Sequence, residues 1–334
     1  MVEHWQTAFD WRAWEVRINR FEQRMVEVDG QPIHVLVEPG SGSNPLPLLL
    51  THGWPGSFLE FIELIEPLAH PERFGGRGED AFTVIVPSLP GYGFSPSPQS
   101  PMGPRQIARL WSKLATEHFG FERYVAQGGD WGAVVTGLLA RLHPQGLAAV
   151  HLNMLGNIPV LGPDANLTAE EGAWLAKMGA MQQEEGAYQQ IPGTKPQSLA
   201  YGLTDSPVGL AAWIIEKFQG WTLGASSQED PSFSMDWLLA NVMLYWLNGI
   251  NGANWLYQAA RSGETRIAAD ECHTVQAGFA LFPNDLIPPA PRSFIERTFD
   301  VQHYRVYEQG GHFPALEQGT VLAADIREFF AGYR

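Results

Sequence analysis

The sequence predicts an α/β fold, a mostly parallel central sheet flanked by helices with a helical block inserted into it. Three observations carry this. Short continuous apolar runs such as "LPLLL" (residues 46–50) suit strands buried on both faces, as in a parallel sheet. These runs alternate with helix-length amphipathic segments, which implies right-handed βαβ units. From residue 155 to 261 strand-like runs disappear, and they return afterwards.

The elements follow in order. Residues 1–24 are aromatic and charged, with no clear period. Residues 25–38, "MVEVDGQPIHVLVE", alternate around Asp29-Gly30 and read as a β-hairpin. "LPLLLTHG" is a buried strand. In the segment after it, Ser57 and Glu60 read as a capping box that opens a helix. "FTVIVPSLPG" is the next strand. "RQIARLWSKLATEHFG" is a helix with Ile107, Leu110, Trp111 and Leu114 on one face and Gly120 as its stop. "RYVAQ", "WGAVVTGLLARLH" and "AAVHLNM" read as strand, helix and strand. The Trp- and Met-rich block at 155–261 holds helices that start at a Thr168/Glu171 capping box, at Ser206-Pro207 and at Ser234. Strands return with "AGFALFP" and "YRVYEQGGH", and "TVLAADIREFFAGY" is the terminal helix. The expected division is 1–24, a core in two parts at 25–154 and 262–334, and a helical cap at 155–261.

Composition narrows the function. The chain has 334 residues, 45% of them hydrophobic and 17% charged, enough for a sizeable core. The net charge of −15 argues against nucleic acid or an anionic membrane surface as partner. The single cysteine, Cys272, excludes an internal disulfide and reads as a packing residue. No apolar run approaches the roughly 18 residues of a membrane span. The first residues lack the basic end and apolar block of a signal peptide, so a cytoplasmic location is expected. The sequon at Asn166 is read as chance. No cofactor or metal is expected, because ligand-spaced Cys/His clusters, a P-loop and a dinucleotide fingerprint are all missing from the sequence.

The chemistry centres on "QGGDWG". Gly128-Gly129-Asp130-Trp131-Gly132 has the spacing of a nucleophile elbow, G-x-S-x-G, with aspartate in place of serine. Alone it would also fit a turn with an Asp N-cap. Its position between a strand and a helix favours the elbow. A serine that attacked a saturated carbon would leave an ether, which water scarcely cleaves. A carboxylate leaves an ester whose carbonyl belongs to the protein, and water can attack there and restore the aspartate. Asp130 therefore points to displacement at a tetrahedral carbon followed by hydrolysis. In the usual order of nucleophile, acid and base, His312 after the last strand is the base. Asp285, 27 residues earlier (312 − 285), is the acid that orients it. Asp270 and Glu271 compete but precede the strand. The N–H groups of Trp54 and Trp131 would form the oxyanion hole. His52 reads as a structural hydrogen-bonding residue. Trp54, Trp131, Phe58 and Phe313 are the expected pocket residues.

The chain resembles the microsomal-type epoxide hydrolases of the α/β-hydrolase superfamily over nearly its whole length. "FDWRAWEVRINRF", "LLLTHGWPGSFLEF", "SLPGYGFSPSP", "QGGDWG", "TKPQSLAYGLTDSPVGLAAWIIEKF", "NVMLYW" and "GGHFPALE" carry the likeness. The resemblance implies an α/β-hydrolase fold with a cap and a small apolar epoxide and water as substrates. It also implies two cap tyrosines that donate to the epoxide oxygen, matched here by Tyr188 and Tyr257, with Tyr245 and Tyr201 as fallbacks. Asp285 stands where the family often has glutamate. Members carry a longer leading segment that wraps the core, often behind a membrane anchor. This chain is expected to begin part-way through that segment, without an anchor, and a homodimer stays open. The competing readings are a haloalkane dehalogenase, in which Trp54 would replace the usual asparagine and the tyrosines have no role, and a non-catalytic protein of the same fold.

Overall fold

Two short helices, α1 (Val2–Thr7) and α2 (Trp11–Ile18), open the chain where the sequence reading found no period. The computed structural model describes all residues except 143, 223–232, 269–270 and 272–274, so Asp270 and Cys272 lie outside the described residues. The Asp10 carboxylate accepts the N–H groups of Arg12 and Ala13 and so caps α2. Only Trp14 and Ile18 of α2 are buried, four residues apart. A stripe one contact long cannot register as a period.

A hairpin follows. β1 (Glu22–Val28) and β2 (Gln31–Glu38) pair antiparallel through Asp29 and Gly30, at φ 51° and 77°. Both central residues are left-handed, as the tight hairpin turn requires. β3 (Leu46–Thr51), β4 (Phe82–Pro87), β5 (Tyr124–Gly128) and β6 (Leu147–Leu152) then build the sheet, joined by α3 (Ile62–Ala69), α4 (Pro104–Lys113) and α5 (Trp131–Leu142). Two short strands, β7 (Ile158–Pro159) and β8 (Arg266–Ile267), pair in parallel apart from it. Between them, among the described residues, run α6 (Ala169–Glu185), α7 (Ala187–Thr194), α8 (Pro196–Asp205), α9 (Pro207–Gly220), α10 (Met235–Asn248) and α11 (Asn251–Ala260). β9 (Gln276–Leu281), α12 (Arg292–Ile295), β10 (Asp300–Val306), α13 (Pro314–Glu317) and α14 (Gly319–Phe330) complete the chain.

The sheet runs β1-β2-β4-β3-β5-β6-β9-β10. Pairing is parallel from β4 to β10, and β1 and β2 add an antiparallel edge. Leu48, Leu49 and Leu50 are fully buried, as a strand covered on both faces demands. From β3 the chain goes to β4 on one side and then crosses to β5 on the other. That reversal opens a crevice at the carboxyl ends of β3 and β5, where α/β sheets bind ligands.

One local expectation fails. Ser57 and Glu60 do not form a capping box. Residues Phe58–Phe61 make a 3₁₀ turn, in which Ser57 Oγ accepts the Leu59 N–H and donates to Asn241 Oδ1 of α10. Glu60 turns inward and is buried. The Thr168/Glu171 box on α6 forms with both bonds, and Ser206 caps α9 through the Gly209 N–H. Among the described residues no helix is long and apolar enough to cross a membrane.

Candidate active site

The elbow lies between β5 and α5, with Asp130 at φ 49°. Residues other than glycine rarely take this conformation, and it tips the carboxylate out above the sheet. The flanking glycines make the turn possible by close approach. A Cβ at Gly132 would collide with the Thr51 carbonyl of β3, and one at Gly128 with the Gly132 carbonyl. The N-terminus of α5 begins at Trp131, beside the carboxylate, and its dipole favours the negative charge.

Asp130 Oδ1 accepts the Trp54 N–H at 2.6 Å. Oδ2 lies 3.3 Å from His312 Nε2, an ion-pair distance without hydrogen-bonding geometry. His312 Nδ1 and Asp285 Oδ1 are 2.6 Å apart. The shorter arm of aspartate therefore reaches the imidazole. Two contacts set its position. Asn284 bridges to the Gly310–Gly311 turn, and the Ile287 N–H donates to Asp285 Oδ1 at 3.0 Å. The side chains of His312 and Asp285 are 1% and 2% exposed, against 17% for Asp130. Only the nucleophile candidate faces open space. Burial alone would lower the basicity of His312, but the carboxylates of Asp285 and Asp130 outweigh it and hold the imidazole well above its ordinary pKa.

Asp130, His312 and Trp131 line a cavity of about 250 Å³ together with Tyr188, Tyr257, Val134, Met154, Leu286 and Ile287. Tyr188 comes from α7 and Tyr257 from α11, and their ring centroids are 6.1 Å apart. Burial pushes both phenols far above the ordinary tyrosine pKa, so both keep their protons. The Tyr188 hydroxyl accepts from Gln189 Nε2 at 2.8 Å, which leaves its own proton to donate. The fallback tyrosines lie elsewhere. Tyr245 donates to the Gly56 carbonyl, and Tyr201 is 69% exposed.

The pocket expectations need correction. Phe58 does not line the cavity; it packs against His34 and Phe94, at 5.0 and 5.6 Å, because the 3₁₀ turn points it into the core. The Trp54 ring backs the tyrosines instead of facing the cavity, stacked on Tyr188 at 5.2 Å and edge-on to Tyr257. Phe313 stacks on Phe218 at 4.2 Å and borders a second, smaller cavity that His312 also lines. His52 is buried and held to about 4 by that burial, so it is neutral. Its Nδ1 faces the Gly53 carbonyl and its Nε2 accepts the Leu89 N–H.

The sequence reading missed Glu60. It is buried and pushed up to about 8, by that burial first and by the Asp130 charge second. Gly56 makes room for it, since a Cβ there would collide with Glu60 Oε1. A glycine four residues before the glutamate was the available signal, but helical spacing gave the acid a capping role instead.

Comparison with known proteins gives a consistent picture. Residues 1–61 match the family described as epoxide hydrolase N terminus, and residues 47–190 match the alpha/beta hydrolase fold. The chain is 34% identical to epoxide hydrolase 1 of Sus scrofa over 98% of its own length and 78% of that protein. Among solved structures it resembles the Aspergillus niger epoxide hydrolase with a TM-score of 0.82 at 34% identity, covering 99% of this chain and 83% of that one. The juvenile hormone epoxide hydrolase of Bombyx mori gives a TM-score of 0.86 at 28% identity with the same coverage.

Proposed function

The chain belongs to the epoxide hydrolase family, and from that premise we propose that it converts a small apolar epoxide to a vicinal diol through an ester on Asp130. The observation that carries the reading is the convergence of Asp130, His312, Tyr188 and Tyr257 on one cavity, with Asp285 behind the histidine.

In the first step an Asp130 oxygen attacks a ring carbon. The carbon–oxygen bond of the ring breaks and leaves an alkoxide. Tyr188 and Tyr257 donate hydrogen bonds to that oxygen and lower the barrier to its departure. Ester formation removes the charge of Asp130, one of the causes that hold a proton on His312. The imidazole then gives up a proton more readily, the alkoxide takes one up, and His312 is left neutral. A neutral His312 is a base.

In the second step His312 takes a proton from water, and hydroxide adds to the ester carbonyl. The oxyanion is met by the Trp54 N–H, which already holds Asp130 Oδ1, and by the Trp131 N–H at the start of α5. Collapse of the adduct breaks the ester bond and returns the proton from His312 to the leaving oxygen, which leaves Asp130 as the carboxylic acid. That acid then gives its proton to His312 and restores the starting ion pair. Asp285 keeps the imidazole in the required tautomer and stabilises its charged form. We take residues 1–24 as a segment that wraps the core, 25–154 and 262–334 as the core, and 155–261 as the cap that brings in both tyrosines. A cytoplasmic location belongs to the same reading.

The test is intact-protein mass on His312→Gln exposed to styrene oxide. The expected result is a mass gain equal to the whole epoxide, absent in Asp130→Ala. A variant that stays unmodified overturns the ester mechanism.

A further inference from the structure

A second space shares Asp130 and His312 with the substrate cavity. It is bordered by Glu60, Gln127, Asp130, Asn153, His312 and Phe313. It leaves about 10 Å³ in which the centre of a water can sit, room for roughly one molecule. Three of its lining residues carry a buried polar atom with no hydrogen-bond partner among the described residues: Glu60 Oε1, Gln127 Oε1 and His312 Nε2, the last 3.3 Å from Asp130 Oδ2. Buried polar atoms are nearly always satisfied, and a water needs two to four polar partners to stay in a cavity. Three such atoms around one water-sized space meet both conditions together.

The neighbours fix which atoms are available. Gln127 Nε2 donates to Asn153 Oδ1 at 3.0 Å, so the amide turns its oxygen to the cavity. His312 Nδ1 is taken by Asp285, so only Nε2 can meet the water. Glu60 is held at the end of the 3₁₀ turn against Gly56.

We propose that this cavity holds the hydrolytic water and that Glu60 is a further catalytic residue, accepting one hydrogen of that water while His312 Nε2 takes the other. The proposal rests on the ester reading above. The water loses a proton to His312 Nε2, its oxygen bonds to Cγ of the esterified Asp130, and the carbonyl electron pair moves onto the oxyanion. When the ester bond breaks, the proton passes from His312 to the leaving oxygen. Glu60 exchanges no proton in this sequence. It fixes the orientation of the water so that a lone pair points at Cγ, a saving in entropy at the transition state. Burial holds the Glu60 carboxyl up at about 8, largely protonated at pH 7, so it accepts the water's hydrogen through its unprotonated oxygen.

The experiment separates the two half-reactions. Wild type, Glu60→Gln and Glu60→Leu are mixed with styrene oxide, and the rates of ester formation and ester loss are followed by quenched-flow intact mass. Glu60→Leu keeps the bulk and removes the acceptor. It is expected to lower the ratio of hydrolysis to alkylation by at least about tenfold, with ester accumulating at steady state. Glu60→Gln keeps an acceptor oxygen but puts an amide in place of the carboxyl, and is expected to lie between, at least about threefold down. An unchanged ratio in Glu60→Gln overturns the proposal, as does an equal loss of both steps in Glu60→Leu. His312→Gln runs alongside. If it forms no ester, the ester reading itself has failed. If it forms ester while Glu60→Gln matches wild type, only the role of Glu60 has failed.

Discussion

Asp130 shows how much one residue asks of its surroundings. Its left-handed backbone is tolerated because Gly128 and Gly132 admit the turn and the Trp54 N–H ties down one oxygen. The two tyrosines divide from the histidine by step. In the proposed mechanism they act on the epoxide oxygen, which exists as an alkoxide only during alkylation. Tyr188→Phe and Tyr257→Phe should each slow ester formation by roughly 10–1000-fold, and should change hydrolysis of an ester already formed by less than about threefold. Single-turnover mass measurements on each variant check this, and a tyrosine variant that slows hydrolysis alone would remove that residue from the proposed role.

At the scale of elements, the capping box of α6 does more than start a helix. Glu171 accepts Arg297 at both oxygens (3.0 and 2.8 Å) and also Ser293 at 3.1 Å, which ties the first turn of α6 to α12 and the segment after it. The Arg297 bond is the largest cause that holds Glu171 down to about 2. A carboxylate with a depressed pKa stabilises the fold above its unfolded value of about 4.3, and that contribution disappears as pH falls toward 2. Arg297→Ala should cost about 1–3 kcal/mol at pH 7, measured by urea unfolding, and the gap from wild type should narrow as pH drops below about 4. A gap that stays constant down to pH ~2 would separate the effect from the ion pair. A second buried carboxylate, Asp325 of α14, meets His151 of β6 and His303 of β10 and ties the terminal helix to the sheet in the same way.

For the whole molecule, charge and cavity act on different ranges. The net charge of −15 sets a negative field that falls off over about 10 Å in ordinary salt. A neutral epoxide does not feel it. Its kcat/KM should change by less than about twofold between roughly 20 and 500 mM NaCl. An epoxide that carries a carboxylate should gain with salt over the same range, because salt screens the repulsion on approach. A steep salt dependence for the neutral compound would contradict entry by diffusion of an uncharged substrate into the 250 Å³ cavity.

The sequence alone determined the alternation of buried strands and amphipathic helices, the starts of α6, α9 and α10 at their caps, and the elbow with its aspartate. These are written in local order: apolar runs, capping pairs and a glycine spacing, each readable within about ten residues. The helix at Trp11–Ile18 escaped because only two of its residues are buried. The capping role for Ser57 and Glu60 misled because two structures share one spacing, and the choice between them rests on distant partners. Asn241, 184 residues away, takes the Ser57 hydroxyl, and the space beside Asp130 and His312 receives the glutamate. Phe58 and Trp54 likewise could be placed near the site by number but not given a direction, since a side chain's facing is set by what packs against it. Only the tertiary structure decided which residues border one empty space, because Glu60, Gln127 and His312 lie 67 and 185 residues apart along the chain (127 − 60 and 312 − 127).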